Sequence, residues 1–279
     1  MTEPNCQNVP NGGLGDICLP STTRRYQYQG KNHYDQLLLH LQIQFIDNPT
    51  LDNEYVVFDI DSATFQRDFD LDLDPEEGLI KSVRISFEKE KNTLIAKLVT
   101  PAHTNAGVAL RDAVVDALRP MKLEKALMSA AEVPHTHPQG VKQPDVGWVR
   151  RRYPRRTTVV VEIAVSESLA RLRRDVDMWV DPARGNVNIA LAMKINRRKP
   201  EIKLEKYEWD TIKQKPCRTQ NILIQETDGQ VRVSGSPLII PFELLIGRAP
   251  SSPVETDIEI VEEALCEIAS IVWTGQGFE

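Results

Sequence analysis

The sequence of 279 residues has no run of about 18 apolar residues, so we expect no membrane-spanning helix. Cysteine is scarce, and Cys6, Cys18, Cys217 and Cys266 are scattered without the CxxC spacing of a zinc site. Residues 1–21 lack the apolar stretch of a secretory signal, so a disulfide framework is not expected. We therefore expect an intracellular protein, nuclear or cytoplasmic, with reduced cysteines.

The composition is that of a globular protein, with 41% hydrophobic and 27% charged residues. The N-terminus is rich in Asn, Gly and Pro, and we expect residues 1–30 to form a flexible arm. No linker interrupts the remainder. Residues 31–279 are therefore predicted to form a single domain, with a C-terminal elaboration over 209–279.

Hydrophobic periodicity predicts helices over 34–46, 105–118, 122–132, 166–179 and 258–272, and strands over 54–60, 83–88, 93–99, 144–149, 157–164, 187–195, 201–208, 222–225 and 231–234. The strand over 201–208 alternates apolar and charged residues, as an edge strand does. Either Ser166 or Ser168 is expected to cap the helix that follows. This order predicts the α/β or α+β class, a mixed sheet with helices packed against it.

Charge is distributed unevenly along the chain. Residues 142–215 hold 18 Lys and Arg against 10 Asp and Glu, whereas the remainder holds 16 against 30. Two interpretations of the basic turn within this segment stay open: contact with DNA or RNA, or a solvated turn. The residues concerned are Arg150, Arg151, Arg152, Arg155 and Arg156.

The acidic surplus is centred on residues 59–77, which hold eight Asp and Glu. The stretch that begins at Asp68 lacks the glycine and the closing glutamate of a calcium-binding loop. An exposed acidic loop or an acidic edge strand is the better interpretation. Such a surface could contact a protein partner, and a homodimer is also left open.

Asp145 and Glu162 lie in consecutive strand-like stretches separated by an arginine-rich turn. If the hairpin folds about Tyr153 and Pro154, residue 145 falls opposite residue 162, at about 5 Å. A shift of one residue would place the two carboxylates on opposite faces of the sheet. Carboxylates held this close within an apolar strand pair are explained by a hard divalent cation such as Mg²⁺ or Mn²⁺.

These residues resemble the PD-(D/E)XK nuclease superfamily, with a restriction-endonuclease-like fold. The similarity is greatest to its Uma-type branch and to fungal proteins with the same segment. The resemblance covers residues 83–208, which are taken as the core, and rests on Pro144-Asp145, on Glu162 within Val161-Glu162-Ile163-Ala164-Val165-Ser166-Glu167-Ser168, and on Asp175 and Trp179.

The resemblance implies an αβββαβ core and a metal-dependent phosphodiesterase. By position, Asp145, Glu162 and the backbone carbonyl of Ile163 would be metal ligands. Glu88 and His103 would be accessory residues, because related proteins carry a Glu and a His at these places.

The sequence departs from the superfamily motif at Ala164, where the motif has a lysine two residues after the glutamate. That lysine orients the attacking water and offsets negative charge at phosphorus. Arg173 or Arg174 on the following helix could provide the missing cation. Lys194, within an otherwise apolar strand, is the other candidate.

Three functions follow, and the sequence leaves them open. The first is a Mg²⁺- or Mn²⁺-dependent nuclease acting on DNA or RNA. The second is a catalytically inactive nuclease-like module that binds nucleic acid or protein, which Ala164 favours. The third is a fold reused for an unrelated role.

Overall fold

A computed structural model describes residues 19–20, 22–48, 51, 53–69, 83–129 and 133–278. The chain divides into two compact units whose segments alternate along the sequence. The first unit consists of Met1–Thr100, Glu132–Gln143 and Ser166–Arg171, and the second of Pro101–Ala131, Pro144–Val165 and Leu172–Glu279. The single domain predicted for 31–279 stays a prediction, because compactness alone does not decide whether a unit folds independently.

Along the chain the helices and strands are β1 (Arg24–Gln27), α1 (Lys31–Asp47), β2 (Tyr55–Asp59), α2 (Ser62–Asp68), β3 (Val83–Glu88), β4 (Thr93–Leu98), α3 (Pro101–Leu118), β5 (Leu127–Ser129), β6 (His135–His137), β7 (Gly140–Lys142), β8 (Val146–Arg150), β9 (Thr157–Ala164), α4 (Leu169–Val180), β10 (Ile189–Ile195), β11 (Glu201–Asp210), β12 (Lys215–Thr227), β13 (Gln230–Ser234), β14 (Leu238–Ile240), α5 (Phe242–Ile246), β15 (Ile258–Ile260) and α6 (Glu262–Gln276).

The first unit contains a six-stranded sheet in the order β1-β2-β4-β3-β7-β6. Helix α1 buries Leu38 and Phe45 in the same apolar cluster as Phe58 of β2. Strand β1 pairs parallel to β2, although its residues fall within the predicted N-terminal arm. Residues 1–18 of that arm, with Cys6 and Cys18, lie outside the described residues.

The second unit contains a seven-stranded sheet in the order β13-β12-β11-β10-β9-β8-β5, and β14 and β15 form a separate pair. Within this unit the elements run α3, β5, β8, β9, α4, β10, which is the αβββαβ order that the resemblance implies. Strands β8 and β9 are antiparallel, whereas β9 and β10 are parallel and joined through α4. The predicted class, a mixed sheet flanked by helices, is confirmed.

The two faces of β9 have different surroundings, because successive side chains of a strand point to opposite faces. Val159, Val161 and Ile163 lie in the main apolar cluster, together with Leu110 of α3 and Ile268 of α6. The other face carries Thr158, Val160, Glu162 and Ala164, all buried. The fold therefore places Glu162 on the sheet face opposite to α3 and α6.

Three element predictions are wrong. The first three residues of the helix predicted over 258–272, Ile258–Ile260, form strand β15. The segment predicted as a helix over 122–132 contains β5, because Leu127–Ser129 pairs with β8. The segment predicted as an edge strand over 201–208 is part of β11, which lies between β10 and β12. Its charged residues are tolerated inside the sheet because they pair with one another, as Lys203 does with Glu205 at 2.9 Å. No helix in the described part of the chain has the length and apolar character needed to span a bilayer.

Candidate active site

The hairpin of β8 and β9 has the predicted register. Val146 pairs with Val161, so Asp145, one residue before β8, falls opposite Glu162. A bulge between Trp148 and Val149 lies toward the turn, beyond the pairs that fix the position of Asp145. The predicted register is therefore confirmed and places residue 145 opposite residue 162, and the role of the two carboxylates as ligands stays a prediction.

Asp145 is held by two contacts. Its Oδ2 accepts a hydrogen bond from the backbone N–H of Ile163 at 2.7 Å. Its Oδ1 lies 3.0 Å from Nε2 of His103, and the Asp145 side chain is fully buried. Because His103 is in the first turn of α3, the helix fixes the imidazole beside the carboxylate. The structure thus brings the predicted accessory histidine to Asp145.

Glu162 is 1% exposed, and its Oε1 accepts a hydrogen bond from the indole Nε1–H of Trp179 on α4. The sequence alone predicts no contact between Trp179 and the carboxylates. A buried tryptophan generally needs an acceptor for its N–H, so its position in the motif was a usable signal. Trp179 therefore orients the second carboxylate, as His103 orients the first.

The backbone of Ile163 lies beside Asp145. Its N–H donates to Asp145, and the N–H and C=O of one residue in a strand point to the same edge. The carbonyl therefore points to the edge of β9 where Asp145 lies, which is where the resemblance places a third ligand.

Two opposed and buried carboxylates are electrostatically unfavourable unless a cation or several donors compensate them. Carboxylate oxygens suit a hard cation, and Mg²⁺ is commonly held by one or two carboxylates, its other positions taken by waters and substrate phosphates. In the described residues, no group of three or more His, Cys, Asp and Glu is arranged to hold a metal ion. Asp145 and Glu162 offer the oxygen ligands that Mg²⁺ takes, and a metal site here stays a prediction.

Lys194 occupies the neighbouring strand. Strands β9 and β10 are parallel, and Lys194 pairs with Ala164, two residues beyond Glu162 on the same face. The Nζ of Lys194 donates a hydrogen bond to the backbone carbonyl of Val165 at 2.9 Å. A lysine thus lies beside residue 164, about 4.8 Å away across the sheet.

Arg173, the other predicted cation, lies elsewhere. Its guanidinium forms two hydrogen bonds with Glu205, at 3.1 and 2.8 Å. Glu162 pairs with Ala192, and Ala192 pairs with Glu205. Glu205 is therefore two strands from Glu162, about 10 Å, and the structure does not bring Arg173 to the two carboxylates.

The arginine-rich turn also lies away from the carboxylates. Asp145 and Arg150 are at opposite ends of β8, and five residues of strand span about 17 Å. Arg150 donates to the carbonyl of Gly247 at 3.2 Å, and Arg156 donates to that of Asn186 at 3.0 Å. Burial and the neighbouring Arg150 lower the pKa of Arg156. These two arginines therefore form hydrogen bonds with neighbouring loops. The carboxylates and the turn are close in sequence but not in space.

The remaining members of the turn, Arg151, Arg152 and Arg155, are exposed. Their predicted contact with nucleic acid stays a prediction. Glu88, the second predicted accessory residue, ends β3 in the first unit and pairs with Thr93 and Gly140.

The acidic segment is only partly an exposed loop. Asp59 forms an ion pair with Arg25 at 2.6 Å, and Asp61 caps α2 by accepting from the backbone N–H groups of residues 63 and 64. The side chain of Asp68 accepts from Tyr28 at 2.8 Å. Residues 70–77 lie outside the described residues.

A search of solved structures finds similarity to a candidate nuclease of the DUF820 family from Anabaena variabilis, with a TM-score of 0.37 and 11% sequence identity. The alignment covers 67% of this chain and 90% of that one. No protein-family model and no curated protein matches the sequence. A similarity of this size carries no functional information, so any function depends on the residues of the site.

Proposed function

We propose that this protein is a Mg²⁺- or Mn²⁺-dependent nuclease that hydrolyses phosphodiester bonds of DNA or RNA. The observation that carries the proposal is the opposition of two buried carboxylates, Asp145 and Glu162, with Lys194 beside Ala164 on the same sheet face. Carboxylates for a cation and a lysine for the phosphate are the parts that such hydrolysis needs.

In this proposal Asp145, Glu162 and the carbonyl of Ile163 hold the cation. When bound, the cation polarises the phosphate and lowers the pKa of a bound water. His103 and Trp179 keep the two carboxylates in fixed orientations through the contacts at 3.0 Å to Asp145 and at Oε1 of Glu162.

Lys194 has an electrostatic role. Its ammonium group lies on the face that carries Glu162, where it stabilises the negative charge that develops on the phosphate oxygens. The hydrogen bond to the carbonyl of Val165 holds this flexible side chain in place. A fixed donor needs little reorganisation at the moment of reaction.

A catalytically inactive module that binds nucleic acid is the second candidate. It is favoured by Ala164 at the motif position and by the hydrogen bonds that already engage Asp145 and Glu162. A nuclear or cytoplasmic location, a homodimer and a protein partner for residues 59–77 stay predictions from the sequence.

The experiment is a cleavage assay on single- and double-stranded DNA and RNA, with Mg²⁺ or Mn²⁺ and with EDTA. Asp145→Asn and Glu162→Gln preserve shape and remove one charge each, and Glu259→Gln is the control because Glu259 is an exposed carboxylate on β15. We expect metal-dependent cleavage by the wild type and the control, and loss of at least a hundredfold in each site variant. Equal cleavage by all four proteins would refute the nuclease.

A further inference from the structure

Three cations converge on one carboxylate of β11. Glu205 accepts hydrogen bonds from Arg173, from Arg218 at 2.8 Å and from the hydroxyl of Tyr207 at 2.7 Å. Lys203 forms an ion pair with the same carboxylate at 2.9 Å. We name Arg173, Lys203 and Arg218 the basic strip.

The basic strip carries a surplus of positive charge. The side chain of Glu205 is 1% exposed, whereas those of Arg173, Lys203 and Arg218 are 40%, 33% and 45% exposed. Burial raises the pKa of Glu205, but the hydrogen bonds outweigh it and hold that pKa well below its ordinary value. Within this contact network one carboxylate serves three cations, a local surplus of two charges, which Asp177 near Arg173 and Glu201 near Lys203 reduce.

An ion pair that only stabilises the fold does not require three cations around Glu205. The two hydrogen bonds from Arg173 and the one from Tyr207 already occupy the Glu205 oxygens with strong donors. Lys203 also pairs directly with Lys194 across β11 and β10, and like charges in opposed positions are destabilising. An external anion over this face would offset both the surplus of positive charge and the repulsion between Lys194 and Lys203.

The position of the basic strip favours a polyanion. Glu205 shares a sheet face with Glu162, two strands away, so the strip begins about 10 Å from the two carboxylates. Successive charges of one nucleic-acid strand are about 3.4 Å apart along the helix axis, so this distance corresponds to roughly three phosphates. Arginine forks match phosphate oxygens well, and Arg218 gives only one of its nitrogens to Glu205, whereas Arg173 gives two.

We infer that the basic strip binds phosphates of the nucleic-acid backbone next to the candidate site. The inference rests on the nucleic-acid part of the proposed function. It assigns the backbone contacts to the face of β11 and α4 rather than to the arginine-rich turn.

The test is the binding of a fluorescently labelled single-stranded DNA oligonucleotide, followed by anisotropy in EDTA between about 50 and 200 mM salt. Lys203→Gln/Arg218→Gln removes two charges and leaves the Arg173–Glu205 pair intact. We expect binding to weaken roughly ten- to fiftyfold at low salt, and the salt slope to fall by about 1.4. Urea unfolding of the same samples confirms that the variant is folded.

Two further variants test whether the loss of DNA binding is specific to the basic strip. Lys122→Gln/Lys125→Gln, which removes two exposed cations of the same unit, is expected to bind like the wild type. Glu205→Gln keeps the three cations and removes the negative charge, so it should bind at least as tightly as the wild type. Weaker binding by a folded Glu205→Gln variant would contradict the inference.

Several results would overturn the inference. The wild type could fail to bind the oligonucleotide at low salt, or Lys203→Gln/Arg218→Gln could bind with the wild-type affinity and salt slope. Loss of binding only in Arg151→Gln/Arg152→Gln would assign the contact to the arginine-rich turn. Because the assay contains EDTA and measures no cleavage, its outcome does not depend on metal binding, so failure of the nuclease proposal is distinguishable from failure of this one.

Discussion

Moving the lysine from residue 194 to residue 164, on the neighbouring strand, is a stringent test of the proposed catalytic site. Lys194 and Ala164 are register partners on neighbouring parallel strands, about 4.8 Å apart, and point to one face. Lys194→Ala should lower cleavage by a factor of about 100–1,000, the usual effect of removing one electrostatic donor. Lys194→Ala/Ala164→Lys should recover at least tenfold, because the ammonium returns to the same face.

The exchange also has a predictable effect on stability. Lys194→Ala removes the hydrogen bond to the Val165 carbonyl and should cost about 1–2 kcal/mol of unfolding free energy. Ala164 is fully buried, so a lysine there would overpack by about 1–3 kcal/mol if the space beside it were still filled. In the double variant Lys194→Ala vacates that space, so the loss should be smaller than in Ala164→Lys alone.

Cleavage should be measured under single-turnover conditions, and folding by urea unfolding of the same preparations. Metal binding by calorimetry should be unchanged in all three variants, since Lys194 is not a ligand. The reasoning is refuted if Lys194→Ala is folded and cleaves within threefold of the wild type. It is also refuted if a folded exchange variant recovers no activity.

Three further predictions concern the residues around the site. Trp179→Phe removes the donor to Glu162 and should cost about 1.5–3 kcal/mol in urea unfolding, and an unchanged midpoint would contradict it. Gly107→Ala places a Cβ 2.9 Å from Cγ2 of Val146. Overpacking should outweigh the higher helix propensity of alanine and lower the free energy of unfolding by about 1 kcal/mol. A stabilised variant would contradict this packing. The pKa of Glu205 is below its ordinary 4.5, so the stabilisation that its charge gives to the fold is complete above pH 4.5 and is lost as the pH falls further. In urea titrations the stability advantage of the wild type over Glu205→Gln should therefore shrink between about pH 7 and 3.5. A constant difference would contradict the lowered pKa.

The opposition of Asp145 and Glu162 could be predicted from the sequence because both strands and their turn are local. Counting residues back from the turn fixes the register once the hairpin is assumed. The start of α4 was predictable for the same reason, since the hydroxyl of Ser168 accepts from the backbone N–H of Arg171, three residues on.

Which candidate cation lies nearer to Glu162 could not be predicted from the sequence, because this depends on a long-range pairing. Arg173 is close to Glu162 in sequence, yet its helix directs it to Glu205 on β11. Lys194 reaches the site only because β10 is the parallel neighbour of β9, and hydrophobicity does not specify which strand becomes that neighbour.

The arginine-rich turn does not lie beside the two carboxylates, for a geometric reason. Residues five or six positions apart along an extended strand are about 17 Å or more apart, so a turn and the far ends of its strands do not share a surface. The basic strip had no local signal, since Arg173, Lys203 and Arg218 come from three elements that meet only in the folded sheet.

Calorimetric titration of the full chain with Mg²⁺ and with Mn²⁺ tests the central claim most directly. It compares the wild type with the Asp145→Asn/Glu162→Gln variant, and cleavage is followed on the same samples. We predict saturable metal binding and cleavage by the wild type, and the loss of both in a variant that remains folded. A folded wild type that binds neither metal, or a variant that cleaves like the wild type, would contradict the claim.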